Sequence, residues 1–327
     1  MTNGLTRCVR RCLPAAFLLV CACLAASAQM RVTLVGTGGP ELTPERQGEA
    51  TLIQADGQTL LFDAGRGVLD GLYESRIRPQ TVTRVFLTHL HSDHIEGLPG
   101  LWMTPWFLLG RSEPLEVWGP AGTAKMIDGM RAMYAHDLAA RPNPALSADS
   151  LRVTVHEVEA GAVFDRAGVR VTAIPVEHAD GDPAFGYRVE TKQGTVLLTG
   201  DCTYGGALAQ QAGPVDVVIS NVAAATPELA DSARVKPVLA KLMSPEQAAE
   251  LFKQMKPRIA IYSHIVKKGL PGPAGDAEIV RRTRAAGYGG HLLAGADHTT
   301  IVVGRTIRIE HPAGIPPDFD GPDAQFR

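Results

Sequence analysis

Cysteine is scarce in this 327-residue chain. Of five, Cys8, Cys12, Cys21 and Cys23 lie within the first 28 residues, and only Cys202 lies beyond them. One thiol cannot close an intrachain disulfide, so the fold has to be held by its core. A chain of this length can bury one large core or two modest ones without such staples. Long apolar runs are missing as well. The stretch Leu13 to Ala25 is apolar but too short to span a bilayer comfortably. It follows Arg7, Arg10 and Arg11 and precedes Ala26-Ser27-Ala28, the basic, apolar and small-residue order of a secretory signal. Cleavage is therefore expected after Ala28, giving a periplasmic or secreted chain with no membrane attachment. Neither Cys21 nor Cys23 is preceded by a convincing lipobox.

Positive charge is not in excess. The formal net charge is −2, and loss of three arginines with the leader makes it −5. That mildly acidic balance argues against a nucleic-acid partner. No internal repeat and no linker stand out. We expect a signal at 1–28, one domain at 29–311 and a Pro- and Asp-rich tail at 312–327 that is loosely held. With 45% hydrophobic and 20% charged residues, the composition is that of an ordinary globular protein.

Against this background Arg84 to Leu98 is exceptional. Arg84-Val85-Phe86-Leu87-Thr88 reads as a short buried strand, and His89, His91, Asp93 and His94 follow directly. Imidazoles and carboxylates are poor core filler, and buried ones need partners. Their nitrogen and oxygen donors suit zinc. On an extended chain His89 and His91 point the same way. Asp93 and His94 lie past a turn and can aim at a second point. Three more candidates end apolar strands elsewhere: His178 after Ile174-Pro175-Val176, Asp201 after Leu197-Leu198-Thr199-Gly200, and His264 after Ile259-Ala260-Ile261-Tyr262-Ser263. Strand ends are where a rigid scaffold presents functional groups.

Other features read more plainly. Residues from His94 to Leu109 should form a helix with Trp102 and Trp106 on one core-packing face, and residues from Thr123 to Ala139 a second helix bearing Met126, Met130 and Met133 as core or lid. The polar stretch from Ala223 to Leu242 reads as a long loop with one helical turn. Ser244-Pro245-Glu246-Gln247 should open a helix through a capping box. Lys267 and Lys268 could draw an anionic substrate or belong to a solvated turn. His136, His156, His291 and His311 read as surface; His298 is intermediate, able to stand behind a ligand but more plainly read without a role, and Cys202 reads as a bystander.

The run His89-Leu90-His91-Ser92-Asp93-His94 resembles the HxHxDH signature of the metallo-beta-lactamase superfamily. Phe62-Asp63-Ala64-Gly65 is similar to its FDxG and Thr199-Gly200-Asp201 to its (T/S)GD. Gly36-Thr37-Gly38-Gly39 and Gly97-Leu98-Pro99-Gly100 look like the ribonuclease Z and arylsulfatase branch. The resemblance runs from about Arg31 to about Gly304. It implies an αββα sandwich of two mixed sheets with helices on the outer faces. It also implies two zinc ions, one on His89, His91 and His178, the other on Asp93, His94 and His264, with Asp201 bridging. A bridging hydroxide would be the nucleophile, since zinc lowers the pKa of bound water to about 7. Asp93 would orient it or take its proton, and Asp63 would hold a ligand imidazole from behind.

Within the branch, the long tRNA-gripping arm of ribonuclease Z would fall between His178 and Asp201, which here lie 23 positions apart with a single hairpin between them. The branch's HEAT-like element is replaced by Asn221-Val222-Ala223-Ala224-Ala225. These departures, with the leader and the charge, speak against tRNA processing. Leu101-Trp102-Met103-Thr104-Pro105-Trp106 and Pro183-Ala184-Phe185-Gly186-Tyr187 look instead like the exported, arylsulfatase-like members, a resemblance that implies hydrolysis of sulfate or related esters. The chain's partner would be a small-molecule ester rather than a nucleic acid, and a homodimer is compatible with the reading. Ribonuclease Z-like phosphodiester cleavage, lactone or lactam hydrolysis, and metal binding without turnover are the alternatives. N-terminal sequencing of the mature chain should begin at Gln29, and an intact chain recovered from cytoplasm would refute export.

Overall fold

A computed structural model describes residues 29–141, 146 and 148–311. The leader and the tail expected at 312–327 lie outside the described residues, as does the whole of the break at 142–145. Fifteen strands form two sheets among the described residues. In chain order they are β1 (Met30–Gly36), β2 (Ala50–Ala55), β3 (Gln58–Phe62), β4 (Arg84–Phe86), β5 (Leu115–Gly119), β6 (Val153–Glu157), β7 (Gly161–Arg166) and β8 (Val169–Val176). Then come β9 (Ala184–Thr191), β10 (Gly194–Leu198), β11 (Val217–Ala225), β12 (Ile259–Lys268), β13 (Leu292–Ala294), β14 (Thr300–Val303) and β15 (Arg308–Glu310). The first sheet runs β15-β14-β1-β2-β3-β4-β5-β6 and the second β13-β12-β11-β10-β9-β8-β7. Each is antiparallel in one half and parallel in the other. The parallel runs are β3 to β6 and β10 to β13.

The two sheets pack face to face with helices outside, which is the expected αββα sandwich. Alternation along the strands produces this arrangement. One set of side chains, including Phe62, Phe86, Trp118, Tyr187 and Ile261, fills the space between the sheets. The opposite set on the first sheet, with Leu61, Val85 and Val117, packs under helices Val68–Glu74, Leu98–Phe107 and Thr123–Met133. Its counterpart on the second sheet packs under Pro245–Met255 and Gly272–Ala285. Trp102 and Trp106 are core residues of that first outer layer. Among the described residues no helix is long and apolar enough to cross a membrane.

Three expected elements differ in detail. The helix expected from His94 to Leu109 is two helices, Ser92–Ile95 and Leu98–Phe107, broken at Gly97. Gly97 donates to Ala64 O at 2.8 Å, and a Cβ there would stand 2.3 Å from Gly65 O. The break thus lets the metal-motif turn lie against the Phe62-Asp63-Ala64-Gly65 turn. The Thr123 helix ends at Met133 and a second one spans Ala135–Ala140, leaving Met130 buried and Met133 65% exposed. The segment from Ala223 begins as strand, because β12 runs on past His264 and supplies partners Val266, Lys267 and Lys268 to Ala223, Ala224 and Ala225. Two helical turns, Pro227–Ala230 and Lys236–Leu239, follow. The capping box at Ser244 and Gln247 is present in both directions.

The sheets are tied together next to the motif. Phe86 stacks on Phe62 and Trp118 at centroid distances of 5.0 and 4.6 Å and meets Tyr187 edge-on at 5.7 Å. Tyr187 Oη donates to Leu87 O at 2.8 Å and Phe185 N to Thr88 O at 2.9 Å, so second-sheet residues hold the strand end that precedes His89. Phe86→Ala should cost ~3–5 kcal/mol, the range for truncating a buried aromatic, measured by denaturant unfolding. A loss below ~1 kcal/mol would show that the stack is not a main element of the core.

Candidate metal centre

The seven expected residues converge at the carboxyl ends of parallel strands, the usual ligand-binding edge of such sheets. His89 follows β4, Asp201 follows β10, and His264 sits within β12. His178 follows β8, which runs in the same direction as β10 because both are antiparallel to β9. Three overlapping groups have ligand atoms within 4.8 Å of one another: His89, His91 and His178; His89, His94 and Asp201; Asp93, His94 and His264. Asp201 lies between the outer two. Its Oδ2 is 3.7 Å from His178 Nε2 and 3.5 Å from His94 Nε2, while its Oδ1 is 3.1 Å from His264 Nδ1. Asp93 Oδ2 is 3.2 Å from His264 Nε2 and 3.8 Å from His94 Nε2. His91, with its side chain 35% exposed, is at the rim; His89, His94, His178 and His264 are buried.

Outer partners decide which nitrogen each imidazole turns inward. The carboxylate of Asp63 can only accept, so His94 Nδ1–H donates to its Oδ2 at 2.8 Å. The same carboxylate accepts from Thr88 N and Thr88 Oγ1, both at 2.8 Å. Having given its proton away, Thr88 Oγ1 accepts from His89 Nδ1 at 3.0 Å. The carbonyl of Lys241 accepts from His178 Nδ1 at 3.1 Å. One carboxylate and one carbonyl thus turn three Nε2 atoms toward the centre, where that of His178 lies 3.2 Å from His91 Nδ1. His89 Nε2, His94 Nε2, His264 Nδ1 and Asp201 Oδ1 are buried with no hydrogen-bond partner among the described residues. Buried lone pairs facing one another are costly unless a cation answers them. Nitrogen and oxygen donors in this density fit a borderline-hard divalent ion, so the residues present can hold metal.

The charge states agree. Burial, reinforced by neighbouring imidazoles, holds His89 far below the usual histidine range, and burial also lowers His178. Burial pulls His94 down too, but Asp63 and Asp201 outweigh it and raise its pKa; for His264, Asp201 and Asp93 do the same. Burial pushes Asp93 and Asp201 up, yet the surrounding imidazoles keep both below the ordinary carboxylate range. Protons on His94 or His264 compete with metal for the same lone pairs, so metal uptake should release protons.

Several contributors were not legible from spacing. Glu49, just before β2, is buried beside Ser263 and His264, and burial pushes its carboxyl up to about 7. Asn221 donates to Gly200 O at 2.8 Å and accepts from Met243 N at 2.9 Å, bracing the turn that carries Asp201. Asp182 accepts from His178 N at 3.0 Å. Other candidates fall away. Lys267 pairs with Asp276 at 2.8 Å and Lys268 with Glu41, so neither is a free anion attractor. His298 bonds Ser75 and Glu74. His156 is not a plain surface residue: it stacks on Trp118 at 4.5 Å. Cys202 is fully buried, and burial pushes its thiol up to about 12.

Comparison with known proteins adds to this geometry. Residues 58–265 match the family described as Beta-lactamase superfamily domain. Ribonuclease Z of Mycobacterium sp. (strain KMS) is 36% identical over 253 residues, 76% of this chain and 88% of that protein. Ribonuclease Z of Mycobacterium marinum is 32% identical over 82% of this chain and 96% of its own length. In fold the chain is similar to the metallo-beta-lactamase fold protein YhfI of Bacillus subtilis, with a TM-score of 0.64 at 16% identity over 83% of this chain and 98% of that one. It is also similar to the short form of human tRNase Z, with a TM-score of 0.60 at 23% identity over 84% and 99%. These relatives overturn the expectation of a small-molecule ester and no nucleic acid, because the curated ones are named as ribonucleases. The physical flaw lay in using net charge. A balance of −5 sums the whole surface, whereas recognition depends on charge near the cleft.

Proposed function

The chain belongs to the metallo-beta-lactamase superfamily and is one of its metal-dependent hydrolases, and we propose that it cleaves phosphodiester bonds in RNA with two zinc ions. The observation that carries this reading is the pair of outer donor groups with Asp201 between them, together with relatives named Ribonuclease Z. His89, His91 and His178 would hold one ion, and Asp93, His94 and His264 the other, with Asp201 serving both. When bound, a pair of such ions acidifies water and neutralises charge on an attacked phosphoryl group and its leaving oxygen. The chain's own residues supply the rest. Asp63, Thr88 and Lys241 O keep three imidazoles in one tautomer. Asp93, ionised and at the edge of the cluster, is placed to orient the attacking water and take its proton. At the rim Lys241 pairs with Asp180 at 2.5 Å, and Asp180 Oδ1 lies 3.8 Å from His91 Nε2. The group beside the exposed histidine is therefore a carboxylate, with Lys241 paired to its other oxygen.

The test is turnover by the zinc-loaded chain on transfer-RNA transcripts, a chromogenic phosphodiester, an aryl sulfate, a lactone and a β-lactam, with Asp201→Ala as contamination control. RNA and phosphodiester cleavage that disappears in the control is expected. Turnover of aryl sulfate with no RNA cleavage would refute the reading.

Asp201 and Asp63 should separate in function. Asp201→Ala removes the carboxylate shared by both clusters and should leave at most about one zinc and negligible turnover. Asp63→Ala removes a partner behind His94, typically ~10–100-fold in metal affinity or activity, and should keep measurable turnover in excess zinc. Reversed zinc counts in the two variants would show the assignment to be wrong.

A further inference from the structure

We infer that Glu49 is a positioning residue for His264, holding open the β-bulge from which that histidine reaches the centre. The inference rests on the reading of His264 as a metal ligand. The strand pairing carries it. In the β11–β12 ladder Ser220 faces Tyr262 and Val222 faces Ile265, so Ser263 and His264 together face the single residue Asn221. That is a bulge, and a bulge takes backbone groups out of the ladder. His264 itself has φ of 46°, a left-handed conformation that a residue with a Cβ adopts only when its surroundings impose it.

Glu49 supplies what the ladder no longer does. It lies just before β2 of the opposite sheet and is buried. Its Oε2 accepts from His264 N at 2.8 Å and from Ser263 Oγ at 2.5 Å, and its Oε1 accepts from Thr51 Oγ1 at 3.2 Å. Both bulged residues are thus gripped by one oxygen. The next amide, Ile265 N, donates to Thr37 O at 2.9 Å, so the strand is again held by first-sheet backbone beyond the bulge. Without the carboxylate the buried His264 N–H has no acceptor, and an orphaned buried amide is costly. The inexpensive remedy is a regular strand. Side chains alternate with period two, so removing the bulge turns His264 to the other face and away from Asp93 and Asp201. Spacing could not have exposed this role, because the contact spans 215 positions.

The test is zinc affinity, read by competition titration and by metal content of the full mature chain, for Glu49→Ala, Glu49→Asp, Glu49→Gln and His264→Ala. Glutamine keeps an acceptor at the same reach, whereas aspartate is one methylene short. His264→Ala should lose one zinc. Glu49→Ala and Glu49→Asp should weaken one of the two zinc sites ~10–100-fold, the usual effect of losing an outer partner, and leave the other unchanged. Glu49→Gln should restore affinity to within a few-fold of the parent. Should the alanine variant fail to fold, the aspartate and glutamine pair decides the matter alone. Full affinity in Glu49→Asp while His264→Ala loses a zinc overturns the inference and leaves the ligand reading intact. Equal weakening of both sites overturns it too, since that is what general loosening does. Full zinc in His264→Ala overturns the ligand reading itself.

Discussion

Lone pairs directed at one another dominate this molecule. His89, His94, His178 and His264 are buried beside Asp201, and four ring or carboxylate atoms among them have no hydrogen-bond partner in the described structure. Hydrophobic burial alone would not assemble such a group, because each bare nitrogen taken out of water is unfavourable without a compensating contact. Two things must therefore hold together. A cation has to answer the donors, and the scaffold has to be stiff enough to keep them converging until it does.

The stiffness comes from contacts within the first sheet and between the two sheets. Asp63, one residue past β3, accepts from both Thr88 and His94. Phe185 and Tyr187 of the second sheet donate to Thr88 and Leu87 of the first. Glu49 runs the other way, from the first sheet to the bulge in the second. The aromatic stack around Phe86 lies directly behind these links. The residues that orient the imidazoles are also among those that join the two halves of the sandwich, so site geometry and packing are one problem here. Networks of this kind act as units, and removing a member is felt by its neighbours.

Substrate class is where global and local quantities part. The mildly acidic balance and the short His178-to-Asp201 span pointed away from RNA, whereas relatives at 36% and 32% identity are named Ribonuclease Z. The short span is real: only a 3₁₀ turn and the hairpin of β9 and β10 fill it. Any grip on RNA must therefore use other surface. Lys267 and Lys268, which looked available in the sequence, are occupied by Asp276 and Glu41, and Lys241 at the rim is occupied by Asp180 through a pairing no local pattern displays.

What could be read from the chain alone was everything with short-range grammar. The seven candidate donors were legible because each follows an apolar run or sits in the tight His89-to-His94 stretch. The sandwich followed from strand alternation and the resemblance, and the Ser244 cap from a four-residue signal. The break at Gly97, the strand beyond Ala223, the choice of inward-facing nitrogen and the roles of Glu49, Asn221 and Lys241 were settled only in three dimensions. Each depends on a partner far along the chain: Gly97 on Ala64 and Gly65, Ala223 on Val266, His178 on Lys241 and His264 on Glu49. A sequence specifies which groups can donate or accept. Which of them meet, and hence which lone pairs are left facing the centre, is decided by how the two sheets close on each other.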